Sequence, residues 1–239
     1  MKLEKLTIII PTYNEGKTLY QILDKIRLVQ LHYNTRKEVI VIDDASTDDT
    51  SEVIFVYKSK YPDFPVIHHK HDVNEGKGAA LHRGIKMATG DFLIIQDADL
   101  EYDPEDYNDL LKPVYSGVAD VVYGSRFMGS KPHRVLFFWH YFGNKLLTFL
   151  SNLFTNLNLT DMETCYKVFD TKLIQALDLK EKRFGFEPEV TAKVAKVSGI
   201  RIYEVGISYY GRTYSEGKKI SWKDGVWAVL CIIRYNLFK

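Results

Sequence analysis

Short apolar runs alternate with helical stripes along the first half of the chain. The apolar runs predict buried strands at Leu6–Ile10, Val39–Ile42, Val66–His69, Phe92–Ile95 and Asp120–Tyr123. Helical spacing or helix-start signals predict helices at Thr18–Gln30, Thr47–Lys60, Gly78–Ala88 and Pro104–Leu111. Strands that alternate with helices imply an α/β fold, in which a mainly parallel sheet carries helices on both faces.

Polar residues follow directly after several of the predicted strands. They form four groups, namely residues 11–15, Asp43-Asp44, residues 74–78 and Asp97-Ala98-Asp99. In a parallel sheet, ligands bind beyond the carboxyl ends of the strands, so these groups are expected to meet at one edge. Their coincidence is the strongest indication of an active site that the residues give by themselves.

Asp97 and Asp99 predict a cation site at the end of the fourth strand. Residues two apart in an extended segment point the same way, and two neighbouring carboxylates repel unless a cation lies between them. Oxygen ligands of this kind suit Mg²⁺ or Mn²⁺, which also bind substrate phosphates. Alternatively, the two acids simply end the strand and cap the next helix. The second acidic strand end, Asp43-Asp44, favours the metal site.

Two amphipathic segments stand out in the second half. Apolar residues at helical spacing extend over Val135–Phe154, and further apolar residues widen that surface beyond one stripe. Such a helix could belong to the core, but its width and the neighbouring Lys131, His133 and Arg134 favour a helix lying in a membrane surface. Trp222–Phe238 predicts a second such helix, or a surface for another copy or a membrane-anchor subunit. No apolar stretch is long enough to predict a membrane span.

Composition narrows the remaining classes. A length of 239 residues with 46% apolar content suffices for one substantial core. The net charge of +1 gives no support for bulk nucleic-acid binding, which depends on excess basic charge. The two cysteines, Cys165 and Cys231, define no disulfide framework or zinc site, and the N-terminus shows no secretion signal. A reducing, cytoplasmic location is therefore expected.

Other nucleotide-binding folds fit the motifs poorly. The first predicted strand is followed by Pro11-Thr12-Tyr13-Asn14-Glu15-Gly16 instead of the glycine pattern of dinucleotide-binding proteins. No phosphate-binding P-loop sequence occurs. A receiver-type phosphoacceptor domain could use clustered aspartates, but it would leave the long aromatic and basic second half unexplained.

Taken in order, the motifs resemble those of inverting GT-A glycosyltransferases of family 2. The first-half matches are the segment 11–15, residues 41–48, Gly76-Lys77-Gly78 and Asp97-Ala98-Asp99. Further matches resemble the dolichyl-phosphate and polyprenyl-phosphate hexosyltransferases; they are Gly124-Ser125-Arg126, Asp161 before Cys165-Tyr166-Lys167, and Glu204-Val205 leading to Arg212 and Gly217-Lys218-Lys219. The resemblance thus covers nearly the whole chain and implies a GT-A, Rossmann-like fold with additional interfacial helices.

The resemblance implies a role for each matching residue. The donor nucleotide sugar would be held by Pro11, Tyr13, Glu15, Asp43, Asp44, Lys77, Ala98, Lys218 and Lys219. Asp97 and Asp99 would bind Mg²⁺ or Mn²⁺ together with the donor diphosphate, and Glu101 would add a further acidic ligand. Arg126, Arg134 and Asp161 would form the acceptor side. Arg212 would close over the diphosphate, so the catalytic set would be Asp97, Asp99, Arg126 and Arg212.

The implied activity is transfer of a hexose, with inversion, from a nucleotide sugar to a polyprenyl or dolichyl phosphate. The enzyme would act as a peripheral protein at the cytoplasmic face of the membrane. Residues 1–130 would form the donor half and residues 131–239 the acceptor half of a single catalytic domain. Two alternatives remain: transfer to a glycan hydroxyl, for which Glu163 or Glu187 would be the base, and a catalytically silent sugar-nucleotide-binding protein.

Overall fold

Seven strands form one mixed sheet that contains residues from both halves of the chain. The computed structural model describes residues 3–129, 131–135, 137–213 and 222–238. The strands are β1 (Lys5–Thr12), β2 (Arg36–Asp43), β3 (Val66–Lys70), β4 (Phe92–Ile95), β5 (Val121–Ser125), β6 (Lys167–Asp170) and β7 (Ile202–Gly206). Their order across the sheet is β3-β2-β1-β4-β6-β5-β7.

One strand runs against the others. β6 pairs antiparallel with both β4 and β5, whereas β1 to β5 and β7 share one direction. The carboxyl ends of β1, β2, β4 and β5 therefore lie at the same edge of the sheet. The antiparallel β6 begins at that edge, so the segment that leads into it also reaches the strand ends. The predicted mainly parallel α/β sheet is confirmed.

Eight α-helices surround the sheet. They are α1 (Gly16–Leu28), α2 (Thr50–Lys60), α3 (Lys77–Met87), α4 (Tyr107–Tyr115), α5 (Phe138–Thr155), α6 (Thr171–Ala176), α7 (Phe186–Ala195) and α8 (Trp222–Leu237) in the described part of the chain. The apolar stripe of α1 is buried, as its helical spacing predicts. The central strand β1 contributes Ile8, Ile9 and Ile10 to the core, all without solvent exposure.

The sequence pattern missed two strands and two α-helices, and it shifted the starts of several others, by three residues at β2, α2, α4 and α5. β6, α6, α7 and β7 had no counterpart among the predicted strands and helices. Pro104–Asp106 forms a short 3₁₀ turn before α4, so the α-helix begins three residues later than predicted. α5 begins at Phe138 instead of Val135, and it extends one residue beyond the predicted end.

The outer surface of α5 and α8 is strongly apolar. Exposed side chains of α5 include Phe138 (65%), Trp139 (76%) and Phe149 (62%). The two helices pack against each other, and α8 exposes Leu230 and other apolar side chains beside them. Within the described residues, no helix combines the length and apolar character that crossing a bilayer requires. An apolar surface of this kind on a water-facing helix pair is typical of an interaction site.

Two helical glycines offer a matched test of how closely α3 packs on the sheet. A Cβ at Gly84 would lie 2.4 Å from Ile9 Cγ2, whereas a Cβ at Gly143 in α5 would meet nothing within 4 Å. Gly84→Ala should therefore lower the free energy of unfolding by roughly 1–3 kcal/mol through overpacking. Gly143→Ala should raise it by roughly 0.5–1 kcal/mol, since alanine favours a helix. Chemical denaturation measures both, and an unchanged Gly84→Ala protein would contradict the close packing.

Candidate active site

A cavity of about 340 Å³ opens at the carboxyl ends of the strands. Its walls include residues 11–13 at the end of β1, Asp44 after β2, residues 97–99 after β4 and Arg126 after β5. The sheet topology brings these segments together from positions more than a hundred residues apart. The polar groups that the sequence placed at the strand ends therefore do share one site.

Asp44 organises one wall of the cavity. Its carboxylate accepts backbone hydrogen bonds from Glu75 (2.9 Å) and Gly76 (2.7 Å), and it contacts His71 Nδ1 at 2.9 Å. Gly76 has a φ of +102°, and a Cβ there would lie 2.5 Å from the carbonyl oxygen of Lys182. Only glycine fits this position without strain. Asp44 thus fixes the loop that delivers Lys77 to the cavity.

Asp43 lies beneath that wall and does not line the cavity. Its carboxylate accepts hydrogen bonds from Ser46 N (2.7 Å) and Ser51 Oγ (2.7 Å). Burial would raise the pKa of Asp43, but the nearby His68 (Nε2 at 3.9 Å) and the hydrogen bonds from Ser46 and Ser51 outweigh it and hold the pKa far below its usual range. Asp43 therefore supports the turn after β2, while its neighbour Asp44 faces the cavity.

Three acidic residues and two cations meet after β4. Lys77 Nζ lies 2.7 Å from Asp97 Oδ1. Arg212 Nη2 donates to Asp99, and Arg212 Nε donates to Glu101 Oε1 at 3.1 Å. Burial would raise the pKa of Asp97, but the charge of Lys77 and its hydrogen bond reverse the shift and lower it. Asp97 is thus held as a carboxylate.

Within this cluster, Asp99 is the carboxyl group whose pKa is raised. Burial raises its pKa to about 7, with repulsion from Asp97 and Glu101 adding to the shift. Among the described residues, no group of three or more His, Cys, Asp or Glu side chains has a preformed metal geometry. The donor chemistry nevertheless fits Mg²⁺ or Mn²⁺, because two buried carboxylates repel each other in the same cavity and a divalent cation would relieve that repulsion.

Glu101 is committed mainly to protein partners. Its carboxylate accepts from the backbone N–H of Arg212 (2.8 Å) and from Tyr209 Oη (2.9 Å), in addition to Arg212 Nε. Glu101 therefore anchors the segment that carries Arg212, although it also lines the cavity. Its role as a third metal ligand stays a prediction, and the contacts seen here give it a second role in positioning an arginine.

Arg126 stands on another wall of the same cavity, held by a buried carboxylate. Asp161 accepts from Arg126 Nε and Nη2, both at 2.7 Å, and from the Arg126 backbone at 3.1 Å. Asp161 is fully buried, and Asn144 of α5 donates to it at 3.3 Å. A two-pronged contact of this kind fixes the plane of a guanidinium group. Asp161 therefore orients Arg126 without lining the cavity itself.

The remaining sequence predictions fall in three groups. The structure brings to the cavity Pro11, Tyr13, Glu15, Asp44, Lys77, Asp97, Ala98, Asp99, Glu101, Arg126 and Arg212. Arg134 lies outside the cavity lining, and its Nη1 donates to the carbonyl oxygen of Gly211 at 3.0 Å. Lys218 and Lys219 fall outside the described residues.

Sequence reasoning named Glu187 as a candidate base but missed the loop before it, residues 181–184, which contributes to the cavity wall. Arg183 and Phe184 line the cavity, and the carbonyl oxygen of Lys182 accepts from Ala79 N at 3.0 Å. Glu181 fastens this loop to α8, because it accepts from Tyr235 Oη (2.6 Å) and Trp227 Nε1 (3.0 Å). The only sequence signal here was the acidic first turn of α7, and α7 itself was not predicted.

Comparisons with known proteins agree with this architecture. The family model "Glycosyl transferase family 2" matches residues 7–178. The chain is 30% identical over 239 aligned positions to the undecaprenyl-phosphate mannosyltransferase of Micrococcus luteus, covering 96% of this chain and 93% of that one. It is 37% identical over 126 positions to the dolichol-phosphate mannosyltransferase of Pyrococcus furiosus, covering 52% of this chain and 34% of that one.

Solved structures support the fold. The glucosyl-3-phosphoglycerate synthase of Mycobacterium tuberculosis, crystallised with Mn²⁺, UDP and glucosyl-3-phosphoglycerate, superposes with a TM-score of 0.73 at 18% identity. The match covers 98% of this chain and 80% of that one. This likeness confirms the predicted GT-A fold. Together with the family model, which spans most of the sequence, it shows that the chain belongs to glycosyl transferase family 2.

Proposed function

We propose that this chain transfers a hexose, with inversion, from a nucleotide sugar to a polyprenyl or dolichyl phosphate. The observation that carries the proposal is Arg126, fixed by Asp161 in the same cavity as the paired carboxylates Asp97 and Asp99. One cavity thus offers a site for a metal-bound diphosphate and a separate cationic site for a phosphate acceptor. The full-length match to an undecaprenyl-phosphate mannosyltransferase supports the same acceptor class.

The donor would lie along the wall formed by residues 11–15, Asp44 and Lys77. A divalent cation held by Asp97 and Asp99 would supply positive charge to the departing nucleoside diphosphate. Lys77 is already in the cavity and Arg212 borders it, so both would add fixed positive charge to the same group. In this proposal residues 1–130 mainly bind the donor and residues 131–239 mainly bind the acceptor, although both halves build one sheet.

The acceptor would need no protein base. The second pKa of a phosphate monoester is about 6, so its oxygen is largely ionised at neutral pH. Arg126 would hold that phosphate through charge-assisted hydrogen bonds while Asp161 keeps the guanidinium plane fixed. The protein's part in the acceptor step is therefore to position an oxygen that is already nucleophilic.

The location of α5 supports a lipid acceptor at a membrane surface, which in this proposal is the cytoplasmic face. Asn144 of α5 donates a hydrogen bond to Asp161, and the ring centroids of Tyr141 and Phe127 lie 5.1 Å apart. The helix therefore runs beside Arg126. Its exposed aromatic side chains lie on the outer surface of the same helix. A peripheral helix that rests in the headgroup region would bring the acceptor arginine to the level of a lipid phosphate.

The metal proposal predicts that the two aspartates are indispensable. Asp97→Asn or Asp99→Asn should lower sugar transfer by roughly 100-fold or more, since each removes charge that stabilises the metal-bound diphosphate. Transfer of radiolabelled sugar to polyprenyl phosphate measures this, with the exposed Asp63→Asn as control. Calorimetry should show Mn²⁺ binding to the control and a loss of it in the variants. Full transfer in excess EDTA would contradict the metal-dependent reaction.

The acceptor proposal predicts a selective effect at Arg126. Arg126→Lys keeps a positive charge against the buried Asp161 but loses the planar two-pronged contact. The KM for polyprenyl phosphate should rise by roughly tenfold or more, while the affinity for the donor stays unchanged. Steady-state kinetics and donor titration measure the two quantities, with the exposed Arg36→Lys as control. An equal loss of donor binding would count against an acceptor role.

The membrane proposal predicts that the exposed α5 aromatics anchor the protein. Replacing Phe138, Trp139 and Phe142 by Ser should lower the vesicle-bound fraction at least tenfold, because each fully buried aromatic contributes roughly 1.5–3 kcal/mol. Co-sedimentation with anionic vesicles measures binding. The control is Phe55→Ser on α2, whose side chain is 71% exposed. Since all these side chains face solvent, the melting temperature should stay unchanged. A folded triple variant that binds vesicles as fully as the wild type would refute the membrane-anchoring role of α5.

A further inference from the structure

Glu163 places a buried carboxyl oxygen at the cavity without a hydrogen-bond partner. Its Oε1 is shielded from solvent, and no described residue contacts it with a polar group. Four other described side chains have such an atom, but none of them lines the cavity. Buried polar atoms are normally hydrogen-bonded, so an unpartnered one on a residue that lines a binding cavity calls for a ligand group.

The position of Glu163 identifies which part of a ligand it would meet. Two residues earlier, Asp161 holds Arg126, the cationic group on the acceptor side. Two residues later, Cys165 lines the cavity and its thiol lies beside Asp97. The segment 161–165 thus connects the acceptor arginine with the carboxylates of the diphosphate side. In a transfer reaction the group that moves lies between the leaving group and the acceptor.

We propose that Glu163 binds a hydroxyl group of the hexose that is transferred and thereby helps to select the donor sugar. This inference rests on the proposed function, because it assigns a role within the same cavity. A sugar hydroxyl both donates and accepts hydrogen bonds, so it can satisfy a carboxyl group that has no protein partner. Buried groups of this kind discriminate strongly, since a sugar without the matching hydroxyl leaves them unpaired.

The surroundings of Glu163 favour a neutral carboxyl group. Burial raises its pKa to about 8, and Glu187 at the start of α7 adds to the shift. Lys167 of β6 and Arg126 after β5 oppose it, whereas Asp161 on the same segment reinforces it. Below pH 8 the group therefore has a proton to donate as well as a carbonyl oxygen that accepts. A neutral group also adds no repulsion beside a sugar diphosphate.

Glu187 is a weaker candidate for the same role. Its carboxylate forms an ion pair with Lys77 Nζ at 3.8 Å, whereas Oε1 of Glu163 has no hydrogen-bond partner among the described residues. Lys167 is fully buried near both acids and donates to the carbonyl oxygen of Thr164. These contacts stabilise the residues beneath the cavity. Glu163 is therefore the carboxyl group that remains available for the sugar.

Two variants of Glu163 separate the sugar contact from the nucleotide contact. Leu keeps much of the volume but cannot hydrogen-bond, whereas Gln keeps both a donor and an acceptor. Calorimetry with Mn²⁺ would compare UDP, GDP, UDP-glucose, UDP-galactose and GDP-mannose as probes. Glu163→Leu should weaken the binding of the nucleotide sugar that the wild type prefers by roughly 10- to 100-fold. Its affinity for the free nucleoside diphosphate should stay unchanged. Glu163→Gln should bind the nucleotide sugar nearly as the wild type does.

The pH dependence and the melting temperature provide further readouts. The extra affinity of the nucleotide sugar over the free diphosphate should fall as the pH rises through about 8 in the wild type, because the carboxyl group then loses its proton. It should stay level in Glu163→Gln. Glu163→Leu removes an unpartnered buried polar atom, so its melting temperature should not fall. A purely structural role for Glu163 would instead lower the melting temperature and weaken both ligands equally.

Each contrary result overturns a definite claim. Unchanged binding of the preferred nucleotide sugar by Glu163→Leu, or equal loss of the free diphosphate, would overturn the sugar contact alone. Normal donor binding with no turnover in Glu163→Gln would overturn it in favour of a general base for a hydroxyl acceptor. A wild-type protein that binds neither nucleotide sugars nor free diphosphates would overturn the proposed function, and this inference with it.

Discussion

The cavity contains more negative charge than its own cations can balance. Much of the surrounding structure pairs or neutralises that charge. Among the described residues, seven acidic side chains line it against four basic ones: Glu15, Asp44, Asp97, Asp99, Glu101, Glu163 and Glu187 against Lys77, Arg126, Arg183 and Arg212. Charges that are withdrawn from water must be paired, protonated or bound to metal. Lys77 compensates Asp97, Arg212 compensates Asp99, and burial favours the neutral form of Glu163. Under the proposed function, a divalent cation would have to balance the remaining excess when a sugar diphosphate binds.

The apolar pattern was informative wherever burial alone decides the structure. β1 and β4 have their side chains almost completely buried, and their continuous apolar runs were sufficient to predict them. β6 was missed because it is four residues long and begins with the charged Lys167, which leaves Val168 and Phe169 as its apolar signal. β7 was missed because it is only partly buried along its length, so its apolar signal is weak. Both strands owe their positions to pairing with residues far away in sequence.

The candidate site likewise has features that the local sequence reveals and others that depend on contacts far apart in the chain. The acidic groups at strand ends were evident from the sequence, yet it could not tell which of two adjacent acids faces the cavity. Asp43 turns toward the serines of its own loop and Asp44 toward Gly76, a difference set by strand direction and loop path. Glu163 was recognised as a candidate base only, because its isolation from hydrogen-bond partners becomes visible only in three dimensions.

The link between Glu181 and α8 has a consequence for how the site is assembled during synthesis. The sheet strands β1 to β4 lie early in the chain and can pair while the rest is still being made. The loop at 181–184, however, is braced by Trp227 and Tyr235, which leave the ribosome more than forty residues later. This part of the cavity wall therefore acquires its full support only after Tyr235 has emerged. A nascent chain can thus pair β1 to β4 long before α8 fastens the loop at 181–184 to the rest of the fold.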